Sequence, residues 1–160
     1  MLDSILSKKL LVDTNLLVLF VVGSVNPNRI EAFKRTRAYT KMDFQLLRRI
    51  LGNFDSLYTV AHVMAEVSNL SDLEGAEMLK ARGILKEVVS LLTEADMPSK
   101  TAAADPFYEK LGLVDAAIGA VARLHACTVL TDDFNLYQRL NRDGVSSINF
   151  AHLREQNWGV

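Results

Sequence analysis

"LLVDTNLLVLF", residues 10–20, places one carboxylate, Asp13, with Thr14 and Asn15 between two apolar runs. An unpaired carboxylate inside a buried strand costs several kcal/mol or takes up a proton. The polar triplet therefore marks a boundary, and something should meet Asp13 where it stands. "KKLLVD" (8–13) reads as a short buried strand ending at Asp13, and "NLLVLFVVGS" (15–24) as a first helix stopped near Gly23 and Pro27. The apolar run alone fits helix or strand; the triplet between the runs argues for a strand-to-helix junction.

The same alternation continues outward. "DSLYTVAHV" predicts a second strand near Leu57 to Thr59, passing into a helix, "AHVMAEVSNLS", with Val60, Val63, Val67 and Leu70 inward and His62, Glu66 and Asn69 on a polar stripe. Residues 72–90 predict another helix burying Leu73, Ala76 and Leu79, with Ile84 and Val88 as further inward candidates; "VVSLL" either closes it or forms a brief third strand. "PSKTAAADPFYEKLG" predicts a short helix broken near Asp105–Pro106 and stopped by Gly112. "LVDAAIGAVARLHA" is a helix whose small residues permit close backbone approach. "CTVLTDD" gives a buried strand from Cys127 to Leu130, "FNLYQRLNRDG" a helix and turn, and "VSSINF" a last strand. Short strands alternating with helices predict an α/β fold around a mainly parallel sheet, whose sites collect outside the carboxyl ends of the strands.

A chain of 160 residues, about half of them apolar, fits one domain, 1–160, with an ample core. The net charge of −1 excludes a bulk-basic nucleic-acid binder and an acidic tail protein. Local charge matters instead: "NRIEAFKRTRAYTKMDFQLLRR" (28–49) carries Arg29, Lys34, Arg35, Arg37, Lys41, Arg48 and Arg49 against only Glu31 and Asp43. It is expected to form two short helical pieces around a mobile bend, with Phe33, Phe44, Leu47 and Leu51 inward. The single cysteine, Cys127, excludes an intramolecular disulfide and is expected to be a core residue. No apolar run is long enough to span a bilayer and the first residues lack a leader pattern, so a cytoplasmic protein with no membrane contact is expected.

Asp13 ends the first strand, and Asp132 and Asp133 end a later one on the same sheet edge. Glu66 and Asp115 lie early in helices that can point toward that edge. Converging carboxylates repel one another and raise their pKa values unless neutralised. Mg²⁺ or Mn²⁺, hard cations suited to carboxylates and water, resolves the conflict and favours phosphate chemistry through one ion or two. Each residue has a plainer reading as well. Asp13, Thr14 and Asp115 can cap helices, Glu66 can be a solvated carboxylate, Asp132 and Asp133 can form a turn, and Asn15 can orient either Asp13 or a water. His62 is expected to be packed or on the surface, and no Cys/His pattern supports structural zinc.

"LLVDTNLLV", "VMAEVSNL" and "GLVDAAIGAVARLHACTVLTDDFNLY" together resemble the PIN-domain family over nearly the whole chain. The resemblance implies a three-layer α/β/α sandwich. It maps the family's acids onto Asp13, Glu66, Asp115 and Asp133, with Asn15 as polar support, Thr131 as the hydroxyl near the last strand and Asp132 as an adjacent substitute or outer-shell residue. It further implies metal-dependent hydrolysis of RNA, commonly by a water nucleophile. Members of the toxin branch of toxin–antitoxin systems are of similar size and often dimerise, so an antitoxin and a homodimer are the partners implied. The basic stretch around 28–50 departs from the family pattern. It is either a clip touching RNA, with Phe33, Tyr39 or Phe44 stacking on bases, or a solvated hairpin whose aromatics are core, the latter being preferred for the aromatics. The alternative function is a catalytically weak or inactive RNA-binding module in RNA processing; a third is another α/β phosphate hydrolase. The chain lacks the glycine-rich pattern of an NTPase and the second early aspartate of a phosphoaspartate hydrolase.

Overall fold

The first strand, β1 (Lys9–Val12), is the middle of a five-stranded sheet, with Leu10, Leu11 and Val12 essentially inaccessible. A computed structural model describes residues 8–158, so the ends of the expected 1–160 domain, and the leader reading of the first seven residues, lie outside the described residues. The remaining strands are β2 (Ser56–Val60), β3 (Thr93–Ala95), β4 (Thr128–Thr131) and β5 (Ser147–Asn149). Their order is β3-β2-β1-β4-β5 and every pairing is parallel, with Leu10 opposite both Leu57 and Thr128. Among the described residues nine α-helices flank this sheet, so the α/β sandwich expected of the chain is the fold it adopts.

From β1 the chain adds strands on one side, then returns to place β4 and β5 on the other. The carboxyl ends of β1 and β4 therefore bound a crevice at the point where the order reverses, the usual ligand position in an open parallel sheet. Helix α1 (Thr14–Val25) leaves β1 directly and buries residues all around its circumference, because α2 (Lys41–Gly52), α3 (Ala61–Leu70) and α4 (Ala76–Leu91) also pack on it. Gly23 allows the closest approach: a Cβ there would lie 2.4 Å from the Phe44 ring.

Several local expectations are corrected. The 28–49 stretch holds one α-helix, α2, preceded by a 3-10 turn (Pro27–Arg29) and irregular chain; a reciprocal capping box between Thr40 and Asp43 starts that helix late. Of the three aromatics read as core, Tyr39 and Phe44 are buried and Phe33 is only half-buried. In α4 the inward stripe runs through Ala81, Ile84, Leu85 and Val88, whereas Ala76 and Leu79 face solvent, Leu79 at 68% exposure. "VVSLL" completes α4, and the third strand follows it. The chain then makes α5 (Ser99–Ala103) and α6 (Tyr108–Leu111), and Gly112, at φ 87°, makes the turn into α7 (Leu113–His125). After α8 (Phe134–Arg142), Phe150, read above as strand, instead opens an unanticipated helix, α9 (Phe150–Trp158). Cys127 packs in the core just before β4, and burial pushes its thiol up to about 11. Among the described residues no helix is long and apolar enough to cross a membrane.

Candidate active site

Asp13 occupies the crevice predicted by the strand order. Its backbone N–H donates to the Leu130 carbonyl at 2.9 Å, stitching β1 to β4 one residue beyond the ladder. One carboxylate oxygen accepts from the Thr14 N–H at 2.7 Å, making Asp13 the N-cap of α1; the other accepts from the Thr131 hydroxyl at 2.6 Å. Thr131 is fully buried and also accepts from the Asp133 N–H at 3.0 Å, so one hydroxyl fixes two acids at once. Asp133 caps α8 through one oxygen, which accepts from the N–H groups of Asn135 and Leu136 at 2.9 and 3.1 Å. Capping is therefore real for both aspartates, and in each case it pins the carboxylate at the mouth of the crevice.

An open cleft of about 310 Å³ brings together Asp13, Thr14, Asn15, Glu66, Asp115 and Asp133, from α1, α3, α7 and the segments that follow β1 and β4. Helix α3 begins directly after β2, which places Glu66 within two turns of the sheet edge; Gly112 starts α7 so that Asp115 falls in its first turn. Among the described residues none of these four acids forms an ion pair. Two of them, Asp115 and Asp13, are held above the usual carboxylate range. Burial, then the charges of Asp13, Asp133 and Glu66, pushes Asp115 up to about 7. Burial pushes Asp13 up to about 6 against the Thr131 and Thr14 hydrogen bonds, with Asp132 and Asp133 adding to the rise.

Asp132 is not among the residues that line this cleft. One of its oxygens accepts from the Tyr39 hydroxyl, and the Asn15 side chain also bonds to it; burial holds its carboxyl above the usual range, with the Asp133 charge adding to the rise and its own backbone, Arg154 and Asn15 opposing it. Behind Tyr39 stands Arg154 of α9, its guanidinium 5.1 Å from the ring centre, donating to the Ala38 carbonyl at 2.8 Å and paired at 3.0 Å with the fully buried Asp43. Sequence reasoning considered Tyr39 only as a base-stacking or core residue and passed over Arg154, whose helix it did not assign. His62 bonds to the Ser99 hydroxyl at 2.7 Å, outside the cleft, in keeping with its packed-or-surface reading.

Among the described residues no three His, Cys, Asp or Glu side chains form a ready-made cation cage. The donor set nevertheless fits a hard divalent cation: its acids offer only oxygen, they are uncompensated by any ion pair among the described residues, and beside them lies a buried oxygen of the cleft with no hydrogen-bond partner, Thr14 Oγ1. Open cleft and incomplete cage together suit an ion that retains several of its waters.

An α/β fold with an acidic cleft at the strand-order reversal places a set of carboxylates where open parallel sheets take their ligands. The PIN domain model matches residues 10–141, from β1 to the end of α8 and across all four cleft acids, and the chain belongs to the PIN-domain family. Members of this nuclease superfamily generally depend on divalent metals and act on RNA. No curated protein matches the chain.

Proposed function

We propose that this protein is an Mg²⁺- or Mn²⁺-dependent endoribonuclease that hydrolyses RNA phosphodiester bonds. The observation that carries the reading is the set of four carboxylates lining one cleft, none of them in an ion pair among the described residues. Asp13, Glu66 and Asp115 would hold the cation, with Asp133 completing the set and Asp132 available to a second ion or to ordered water. A bound cation would neutralise the carboxylates, attract the phosphodiester and acidify a water.

The chain's own groups supply orientation and proton transfer. Thr131 holds Asp13 and the Asp133 backbone in fixed relation, and Tyr39 and Asn15 hold Asp132. Asn15, exposed beside Asp13 and bonded to Asp132, would orient a water or a phosphate oxygen. Hydrolysis adds water across one P–O bond: the water oxygen bonds to phosphorus as the bond to the ribose oxygen breaks, a cleft carboxylate takes the proton released by the water, and the leaving ribose oxygen takes a proton from solvent to become a hydroxyl.

The test is cleavage of total cellular RNA with Mg²⁺, with Mn²⁺ and with chelator, followed by mapping of the fragment ends. Cleavage is expected with either cation and is expected to be lost in chelator and in Asp13→Asn and Asp115→Asn. Full cleavage by both variants rejects the assignment, and RNA binding without cleavage indicates the RNA-processing binding module instead. We further propose the finer placement expected from the family: a cytoplasmic toxin, homodimeric and restrained by an antitoxin protein. Growth arrest on expression, relieved by Asp115→Asn, is the expected result.

A further inference from the structure

An acidic cleft repels the polyanion it is meant to cut, so cations must flank it. The stretch around 28–50 is the richer in positive charge, yet two of its residues are already used: Arg29 pairs with Glu77 at 2.7 Å and Lys34 with Asp72 at 3.1 Å. The groove they line also contains Glu74, leaving three acids against two bases. That groove is a poor seat for phosphate.

A second cleft, of about 220 Å³, lies between α6 and α8 and is lined by Lys110, Leu111, Asn135, Gln138, Arg139 and Arg142. It holds three cations and two amides, with no acid among its lining residues. Leu111 lines this cleft and the carboxylate cleft alike, so the two are contiguous. Asn135 stands two residues beyond Asp133 and donates its backbone N–H to it, which ties the α8 wall to the acidic site.

The cations differ in how they are held. Arg139 is braced: its guanidinium lies 5.2 Å from the ring centre of fully buried Phe107, its Nε is 3.8 Å from Asp143, and that Nε is buried without a hydrogen-bond partner. Lys110 and Arg142 are exposed and make no ion pair or hydrogen bond among the described residues.

We propose that the α6–α8 cleft is the track for single-stranded RNA entering or leaving the acidic site, with Lys110 and Arg142 on consecutive backbone phosphates and Arg139 as the fixed cation between the walls. Asn135 and Gln138 offer both donors and acceptors to ribose hydroxyls and base edges, which an unpaired strand presents. The inference rests on the ribonuclease reading for its choice of polyanion, and binding can be tested apart from cleavage.

The experiment measures affinity for a short single-stranded oligoribonucleotide by fluorescence anisotropy in chelator, across about 50 to 200 mM salt. Each phosphate contact on single-stranded nucleic acid contributes about 0.7 to the slope of log affinity against log salt, so Lys110→Gln combined with Arg142→Gln should flatten it by about 1.4. Both side chains are exposed, and circular dichroism verifies that the double variant is folded. Arg35→Gln with Arg37→Gln, in the basic stretch, should change the slope less. An unchanged slope in the cleft variant, a fall confined to the Arg35 and Arg37 variant, or no binding at all overturns the inference. RNA that binds through Lys110 and Arg142 but is never cut with Mg²⁺ or Mn²⁺ sinks the ribonuclease reading and leaves this contact standing. Undiminished cleavage efficiency in the cleft variant does the reverse.

Discussion

Replacing Asp115 with asparagine should stabilise the metal-free protein. Burial and the neighbouring charges of Asp13, Asp133 and Glu66 move this carboxyl from its ordinary 3.8 to about 7. A folded-state pKa above the unfolded one means that folding favours the protonated acid. The associated stability is complete below about pH 4, falls as pH rises, and is gone above about pH 7. A rise of roughly three pH units at about 1.4 kcal/mol each amounts to about 4 kcal/mol. Asp115 is only part-buried, so solvent screening reduces this to about 2 kcal/mol. The amide would keep the shape of the acid without its charge, and in chelator near pH 8 the variant should melt about 4–8 °C above the parent, the difference closing toward about pH 4. Mg²⁺ should raise the parent more than the variant, because binding to the folded state stabilises it in proportion to affinity. Thermal unfolding followed by circular dichroism across this pH range is the assay. A variant less stable than the parent in chelator near neutral pH, or a gap indifferent to pH, would refute the claim that these carboxylates crowd one another.

Two further changes probe the scaffold. Arg154→Leu leaves Asp43 buried without its partner charge and the Ala38 carbonyl without its donor, at a cost of about 3 kcal/mol in urea unfolding. Adding Asp43→Asn should recover part of that loss, and a double variant no more stable than Arg154→Leu would show that the pair is not the cause. Gly23→Ala drives a methyl to 2.4 Å from the Phe44 ring and should cost about 1–3 kcal/mol, with Phe44→Leu relieving it; an unchanged urea midpoint would contradict the close α1–α2 packing.

The parts of the fold that could be read from sequence are those where a residue is costly unless the chain does one particular thing. A carboxylate between apolar runs had to end a strand, and Asp13 does so as the N-cap of α1. Proline and glycine between residues 98 and 112 had to break helices, and Gly112 does so with a positive φ. Where residues carry no such penalty, tertiary packing decides. Leu79 and Leu91 are apolar yet exposed, at 68% and 82%, because the phase of α4 is set by its contact with α1. Helix α9, nine residues with little one-sided apolar patterning, is held through Arg154, whose partners Ala38 and Asp43 lie more than a hundred positions away.

The site divides along the same line. Parallel strands share one carboxyl edge, so Asp13 and the Asp132–Asp133 pair could be placed on one edge from the expected parallel sheet alone, and Glu66 and Asp115 follow because their helices start at that edge. The choice between Asp132 and Asp133 could not be made that way. Backbone alternation at a strand end sends neighbouring side chains to opposite sides, and which side faces the cleft depends on what captures the other. Here the captor is Tyr39, 93 residues away, together with Asn15. Asp133, free of that capture, uses one oxygen to cap α8 and joins the cleft. Two adjacent acids thus acquire different work from one phenol, and that phenol is in turn held by Arg154 from a helix at the far end of the described chain.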